Sequence, residues 1–119
     1  MKKENEQEFT KFHCHIYYDK NSVEIAREIY NTAKEDFSDL YVGVFLTDKV
    51  GPHLKWNFQI SFESKDFWRV NNWLMNYRNG LSVLVHANTG YDLADHTERC
   101  FWYGENIGLD KTKLDPDPI

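Results

Sequence analysis

An α+β sandwich is what this sequence predicts: an antiparallel sheet with two helices on one face and the other face open. Three observations carry that prediction. Apolar and polar residues alternate with period two at residues 11–18, 56–63 and 81–86. Helical spacing of apolar residues appears at residues 22–36 and again in the run that follows Ser64. A β-rich segment at Tyr41–Leu46 completes the order strand, helix, strand, strand, helix, strand. That order is the ferredoxin-like βαββαβ pattern, here with a C-terminal extension.

The first strand is Phe12-His13-Cys14-His15-Ile16-Tyr17-Tyr18. Phe12, Cys14, Ile16 and Tyr18 share one face, which is a core face. His13, His15 and Tyr17 share the other. Asn21 with Glu24 resembles a capping box. It opens a helix whose Ile25, Ala26, Ile29, Tyr30, Ala33 and Phe37 fall on one stripe. After the Tyr41–Leu46 strand, Val50-Gly51-Pro52-His53 reads as a turn ending on a histidine. In the third strand Trp56, Phe58, Ile60 and Phe62 face the core, and Asn57, Gln59, Ser61 and Glu63 face away.

Ser64 is a plausible N-cap for the second helix, with Phe67, Val70, Leu74 and Tyr77 as its buried stripe. Asn79-Gly80 supplies a left-handed stop. In the fourth strand, Leu81–His86, Leu81, Val83 and Val85 face the core, while Ser82, Leu84 and His86 face away. Residues 88–104 are less regular, and the tail reads as a peripheral strap. The expected organisation is a flexible N-terminus at 1–10, one domain at 11–110 and a tail at 111–119.

Composition narrows the function. With 119 residues the chain is long enough for one hydrophobic core. A net charge of −5 argues against nucleic acid as the main partner, because phosphate binding needs a basic surface. No apolar run approaches the roughly 20 residues of a membrane span. The first residues lack the apolar stretch of a signal peptide. Cys14 and Cys100 form no C-x-x-C spacing and read as thiols of a reducing compartment, so a cytoplasmic protein is expected. Aromatic content of 16%, with four Trp, points to a pocket and to a homodimer interface as well as a core.

Five histidines make the chemistry. On this topology the first and third strands are expected to lie adjacent and parallel. His53, just before the third strand, then falls at the same end of the sheet as His13 and His15. His86, at the end of the fourth strand, arrives there too, and His96 sits on the extension that folds over. A lone histidine is most often a surface or satisfied core residue, and an H-x-H alone is a weak signal. Convergence of four imidazoles is a stronger one, and imidazole suits Zn, Fe, Cu and Ni. Asp92, Asp95 and Glu63 stay open as a carboxylate ligand, with Asp95 alternatively orienting His96. Cys14 points to the core. No phosphate loop, G-x-S-x-G or H-E-x-x-H is present, which disfavours a zinc hydrolase.

Four pieces, in order, resemble a known family. They are Phe12–Tyr18, Val50-Gly51-Pro52-His53, Gly80–His86 and Thr89-Gly90-Tyr91-Asp92-Leu93-Ala94-Asp95-His96-Thr97. They are similar to the motifs of the DOPA 4,5-dioxygenase family, the small ferredoxin-like type of fungi and bacteria. Trp102-Tyr103-Gly104 resembles its closing motif. The resemblance covers residues from about 11 to 110. It implies extradiol cleavage of a DOPA-like catechol by O2 at Fe(II), with zinc or another divalent ion able to take the same place. His13, His15, His53 and His86 are then the metal-ligand set, with His15, His53 and His86 foremost. His96 is the acid/base, and His13 a fourth ligand or the base. Tyr17 and Gln59 are placed as substrate-binding residues. Leu54, Ala87 and Tyr91 depart from the family's usual residues beside these histidines and bear on the substrate more than the metal. The alternative is a dimeric module of the same fold that binds a metal or an aromatic ligand without turnover.

Overall fold

The computed structural model describes residues 6–118. The expected fraying of residues 1–10 falls partly on residues 1–5, outside the described ones. Phe9 is held under the Arg99 guanidinium, 5.1 Å from ring centre to Cζ, and the Thr10 carbonyl accepts a hydrogen bond from Ser64 N. The elements are β1 (Lys11–Tyr18), α1 (Val23–Asp36), β2 (Tyr41–Val42), β3 (Trp56–Glu63), α2 (Phe67–Tyr77), β4 (Val83–Ala87), α3 (Asp92–Asp95) and β5 (Cys100–Tyr103). They form one antiparallel five-stranded sheet in the order β2-β3-β1-β4-β5. The α+β architecture expected from the periodicities is present, and the extension adds a fifth strand to it.

The pairing of β1 with β3 differs from expectation. It is antiparallel, with Lys11 opposite Glu63 and Tyr18 opposite Trp56. The physical reason is the split crossover. β1 returns through α1 to β2, and β3 fills the gap between them after reversing from β2, so it runs against both neighbours. The start of β3 therefore lies at the Tyr18 end of β1, not at the His13 end.

The core lies between the sheet and the two helices. Cys14, Ile16, Phe58, Ile60, Val83 and Val85 come from the strands, Ala26, Ile29 and Ala33 from α1, and Val70, Trp73 and Leu74 from α2. Each large apolar side chain buried there stabilises the fold by about 1.5–3 kcal/mol. Within α2, Trp73 takes the place expected of Tyr77, which overhangs the last turn and is 49% exposed. Its indole Nε1–H donates to Asp36 at 2.9 Å, so the polar end of the ring is satisfied. Ser64 starts a single 3-10 turn, Ser64–Asp66, that leads into α2. The entry to α1 is an Asp19–Ser22 turn in which Asp19 accepts from Asn21 N, with no capping box. Asn79 and Gly80 are left-handed, with φ of 49° and 79°.

Candidate metal centre

The histidines gather on the sheet face away from the helices. Antiparallel pairing sets His13 of β1 directly opposite His86 of β4. His15 is two residues along, on the same face. Three imidazoles are thus fixed by strand register alone. One ring nitrogen from each of His13, His15 and His86 lies within 4.8 Å of the other two, which makes a group able to hold a metal ion. The Nε2 atoms of His15 and His86 are 3.1 Å apart.

The outer nitrogens of those two rings are already engaged. His86 Nδ1–H donates to the Ala87 carbonyl at 2.7 Å. His15 Nδ1 lies 3.0 Å from Asn57 Oδ1 and donates to it. With both protons on Nδ1, the two Nε2 atoms confront each other as lone pairs. Two acceptors at 3.1 Å repel unless a cation sits between them. Metal–imidazole bonds of about 2.1 Å put neighbouring ligand nitrogens about 3.0–3.4 Å apart, so the spacing suits two ligands of one ion. Carboxylate or carbonyl acceptors on the outer nitrogen are the usual way ligand imidazoles are oriented. The donor set fits a divalent transition metal.

Electrostatics agree with that chemistry. Burial, then the neighbouring His53 and His86, holds His15 well below the ordinary histidine range. Burial and His96 bring His86 down to about 3, and the same two causes bring His53 to about 4. Burial followed by His96 lowers His13, with Asp95 opposing. These rings are neutral at pH 7, the form that ligates metal.

His53 and His96 flank the group from opposite sides. His53 comes in on the loop before β3, at the Tyr17 side of His15 and not at the His13 end. Its ring is 4.2 Å from that of His15, and its Nδ1 is 2.8 Å from the Tyr17 hydroxyl. The extension fixes it: His53 forms an isolated antiparallel bridge with Leu109, and Asp110 N donates to the Pro52 carbonyl. His96 caps α3 with its ring 4.0 Å from that of His86. Its Nδ1–H donates to the Asp92 carbonyl at 2.8 Å, which turns the Nε2 lone pair outward. The group that orients His96 is Asp92. Asp95 is engaged elsewhere: it accepts from Thr89 N and Thr89 Oγ1 and pairs with Arg99. Glu63, at the far end of β3, lines a different cavity.

Tyr17 and Gln59 are both on this face. Burial raises the Tyr17 phenol far above its ordinary range, so it stays a neutral donor. Its ring stacks on Trp102 of β5 at 5.6 Å. Gln59 Nε2 donates to Ser61 Oγ. A cavity of about 400 Å³ opens onto the centre, lined by all five histidines together with Gln59, Asp92 and Asp95 among others. Two contributors were not assigned a role from sequence. Asn57 had signalled only as a polar residue on the open face, and Trp102 only as one aromatic among many.

Comparison with known proteins places this chain in a family. The sequence model of the Dopa 4,5-dioxygenase family matches residues 12–113. An uncharacterized 21.2 kDa protein of Botryotinia fuckeliana is 33% identical over 110 residues, covering 83% of this chain and 60% of that protein. A DOPA 4,5-dioxygenase of Amanita muscaria is 30% identical over 117 residues, covering 92% of this chain and 51% of that protein. The chain thus spans between half and three fifths of the length of these relatives. A crystal structure from Nostoc punctiforme, of a protein provisionally called a dioxygenase, matches with a TM-score of 0.77 at 29% identity. It covers 90% of this chain and 95% of that one. Among the described residues no helix is long and apolar enough to cross a membrane.

Proposed function

This chain belongs to the Dopa 4,5-dioxygenase family, and on that premise we propose that it cleaves a catechol ring by the extradiol route with O2. One ring C–C bond beside the diol breaks. Both atoms of O2 enter the product, leaving a carboxylic acid and an aldehyde. The observation that supports this most is the facing pair of Nε2 lone pairs on His15 and His86, with His13 completing a three-histidine group. His13, His15 and His86 would hold Fe(II), and His53 stands next to that group as a fourth candidate. When bound, the ion supplies charge neutralisation for the catecholate and a place for O2.

The remaining work falls to the chain. Three neutral ligands leave a divalent charge uncompensated, so the site favours an anionic, chelating diol over a neutral phenol. His96 faces the same cavity with its Nε2 lone pair exposed to a ligand. It takes a proton from one catechol hydroxyl and later returns it, while the Asp92 carbonyl keeps its tautomer fixed. Tyr17, through its hydroxyl, fixes the His53 ring. Trp102, stacked on Tyr17, shields that side of the site from water.

Metal content and oxygen uptake test the proposal together. The protein is reconstituted anaerobically with Fe(II) and its bound iron measured, alongside His15→Ala and His86→Ala. About one iron per chain in the wild type, lost in both variants, with O2 consumed on addition of a simple catechol, is the expected result. Iron bound with no O2 uptake across a catechol panel would overturn turnover and leave a metal-binding module. No iron bound would overturn the centre itself.

A further inference from the structure

We propose that the substituent on the substrate ring lodges in a second chamber beside the metal centre. That substituent is uncharged, with an apolar body and a hydrogen-bond acceptor. The inference rests on the catechol-cleaving reading above and adds the class of catechol.

The chamber has a volume of about 250 Å³ and shares His15, His53 and Gln59 with the cavity over the histidines, so the two adjoin along that wall. Its remaining wall is Tyr41, Gly43, Val44, Leu46, Val50 and Asn57. Among the described residues no Asp, Glu, Lys or Arg lines it. The lip is apolar and open, with Val44 69% and Val50 47% exposed. A charged group entering such a wall loses hydration and gains no counter-ion.

Asn57 defines the polar requirement. It is 98% buried (2% exposed), and its Nδ2 is the one buried side-chain nitrogen or oxygen among the described residues without a hydrogen-bond partner. Its orientation follows from the metal centre. If His15 Nε2 ligates the ion, His15 Nδ1 must carry the proton and needs an acceptor, which is Asn57 Oδ1. The amide nitrogen is then the free end of a residue that lines the chamber, a donor with no hydrogen-bond partner. An orphaned buried donor is destabilising, so a ligand that supplies its acceptor gains affinity. A carbonyl or ether oxygen on the ring substituent would supply the missing partner. An amino-acid tail would instead bring an ammonium and a carboxylate against a wall that has no charged side chain among the described residues.

Anaerobic calorimetry on the full Fe(II)-loaded chain tests this with four probes. They are catechol, methyl 3-(3,4-dihydroxyphenyl)propanoate, DOPA and dopamine. The ester is expected to bind about tenfold or more tighter than both catechol and DOPA. Val44→Glu, at an exposed position, should remove most of that advantage and leave catechol binding unchanged. Asn57→Asp keeps an acceptor for His15 and should retain iron while weakening the ester by about three- to tenfold. Ester binding equal to catechol overturns the proposal. So does tighter binding of DOPA or dopamine than of the ester; its loss in Asp115→Asn would put the tail against Asp92 and Asp115, which line the cavity over the histidines. Catechol itself failing to bind would overturn the catechol reading and this inference with it, and the catechol arm tells that failure from the other two.

Discussion

The two faces of β1 are held by different physics. Toward the helices, Cys14 and Ile16 are fully buried among Phe58, Ile60, Val83 and Val85, and apolar area does the stabilising. On the other face His15 and Tyr17 are nearly as buried, at 4% and 2% exposure, but they lie outside the core that α1 and α2 cover. Cover comes from β5 and the loops: Trp102 stacks on Tyr17, Leu109 bridges to His53, and Asp115 N ties the tail to Asp92. Burial there leaves an unpartnered amide and two opposed lone pairs. One face is packed for stability. The other keeps unmet polar demand in place, and that is what a ligand site requires.

The largest expected effect breaks the helix-side face. Phe58 is fully buried, with the Tyr30 ring at 5.0 Å and those of Phe45 and Tyr18 at 6.2 and 6.4 Å. Phe58→Ala should cost about 3–5 kcal/mol in a chemical denaturation measurement. His15→Ala, one strand away on the opposite face, should cost the metal-free protein far less, since it also removes a lone-pair repulsion. Equal losses from both substitutions would mean that the open face is packed as a second core.

A smaller effect separates the faces through ligand linkage. A divalent ion at one hundred times its dissociation constant should add about 2.7 kcal/mol to stability, and His86→Ala should abolish the gain. The pH dependence has a definite sign. Folded values of about 4 for His53 and about 3 for His86 lie below the unfolded value near 6.5. Folding therefore excludes protons from these rings. Their stability contribution is whole above about pH 6.5 and is lost as pH falls toward 4 and 3. Thermal melts with and without metal from pH 7 down to 4 should show metal stabilisation persisting at pH 5, where exposed histidines would already be protonated. Its collapse at pH 6 would show that these rings are hydrated and ordinary.

The same contrast decides what could be read from the sequence. Period-two alternation exposed the helix-side core and placed His13, His15 and His86 on the opposite face, because register follows from parity. Cys100-Phe101-Trp102-Tyr103 has no alternation, being an edge strand defined by pairing with Val83–His86, and it passed as loop. Tyr41–Leu46 looked like a full strand. Only Tyr41 and Val42 keep ladder register, after which Gly43 N and Leu46 N bond to the Gln59 and Asn57 carbonyls with two residues bulged between. Phe45 uses that bulge to stack on Tyr18 at 4.4 Å. The position of His53 was illegible for another reason: its loop is tied down by Leu109, over fifty residues away, and nothing local encodes that pairing.

The smallest effect addresses the joint between open face and loop. The sequence placed Tyr17 as a hydroxyl for substrate, and the structure has it 2.8 Å from His53 Nδ1. Tyr17→Phe keeps the stack on Trp102 and deletes only that bond. Stability should fall by about 0.5–1.5 kcal/mol, with bound iron unchanged and the turnover number little altered. A large drop in turnover with full iron content would mean that the phenol leaves His53 when substrate arrives. In that case the hydroxyl acts on the ligand directly, and His53 is held by its backbone through Val50 and Leu109. The size of the turnover loss relative to the stability loss therefore tells whether Tyr17 belongs to the scaffold of the site or to its chemistry.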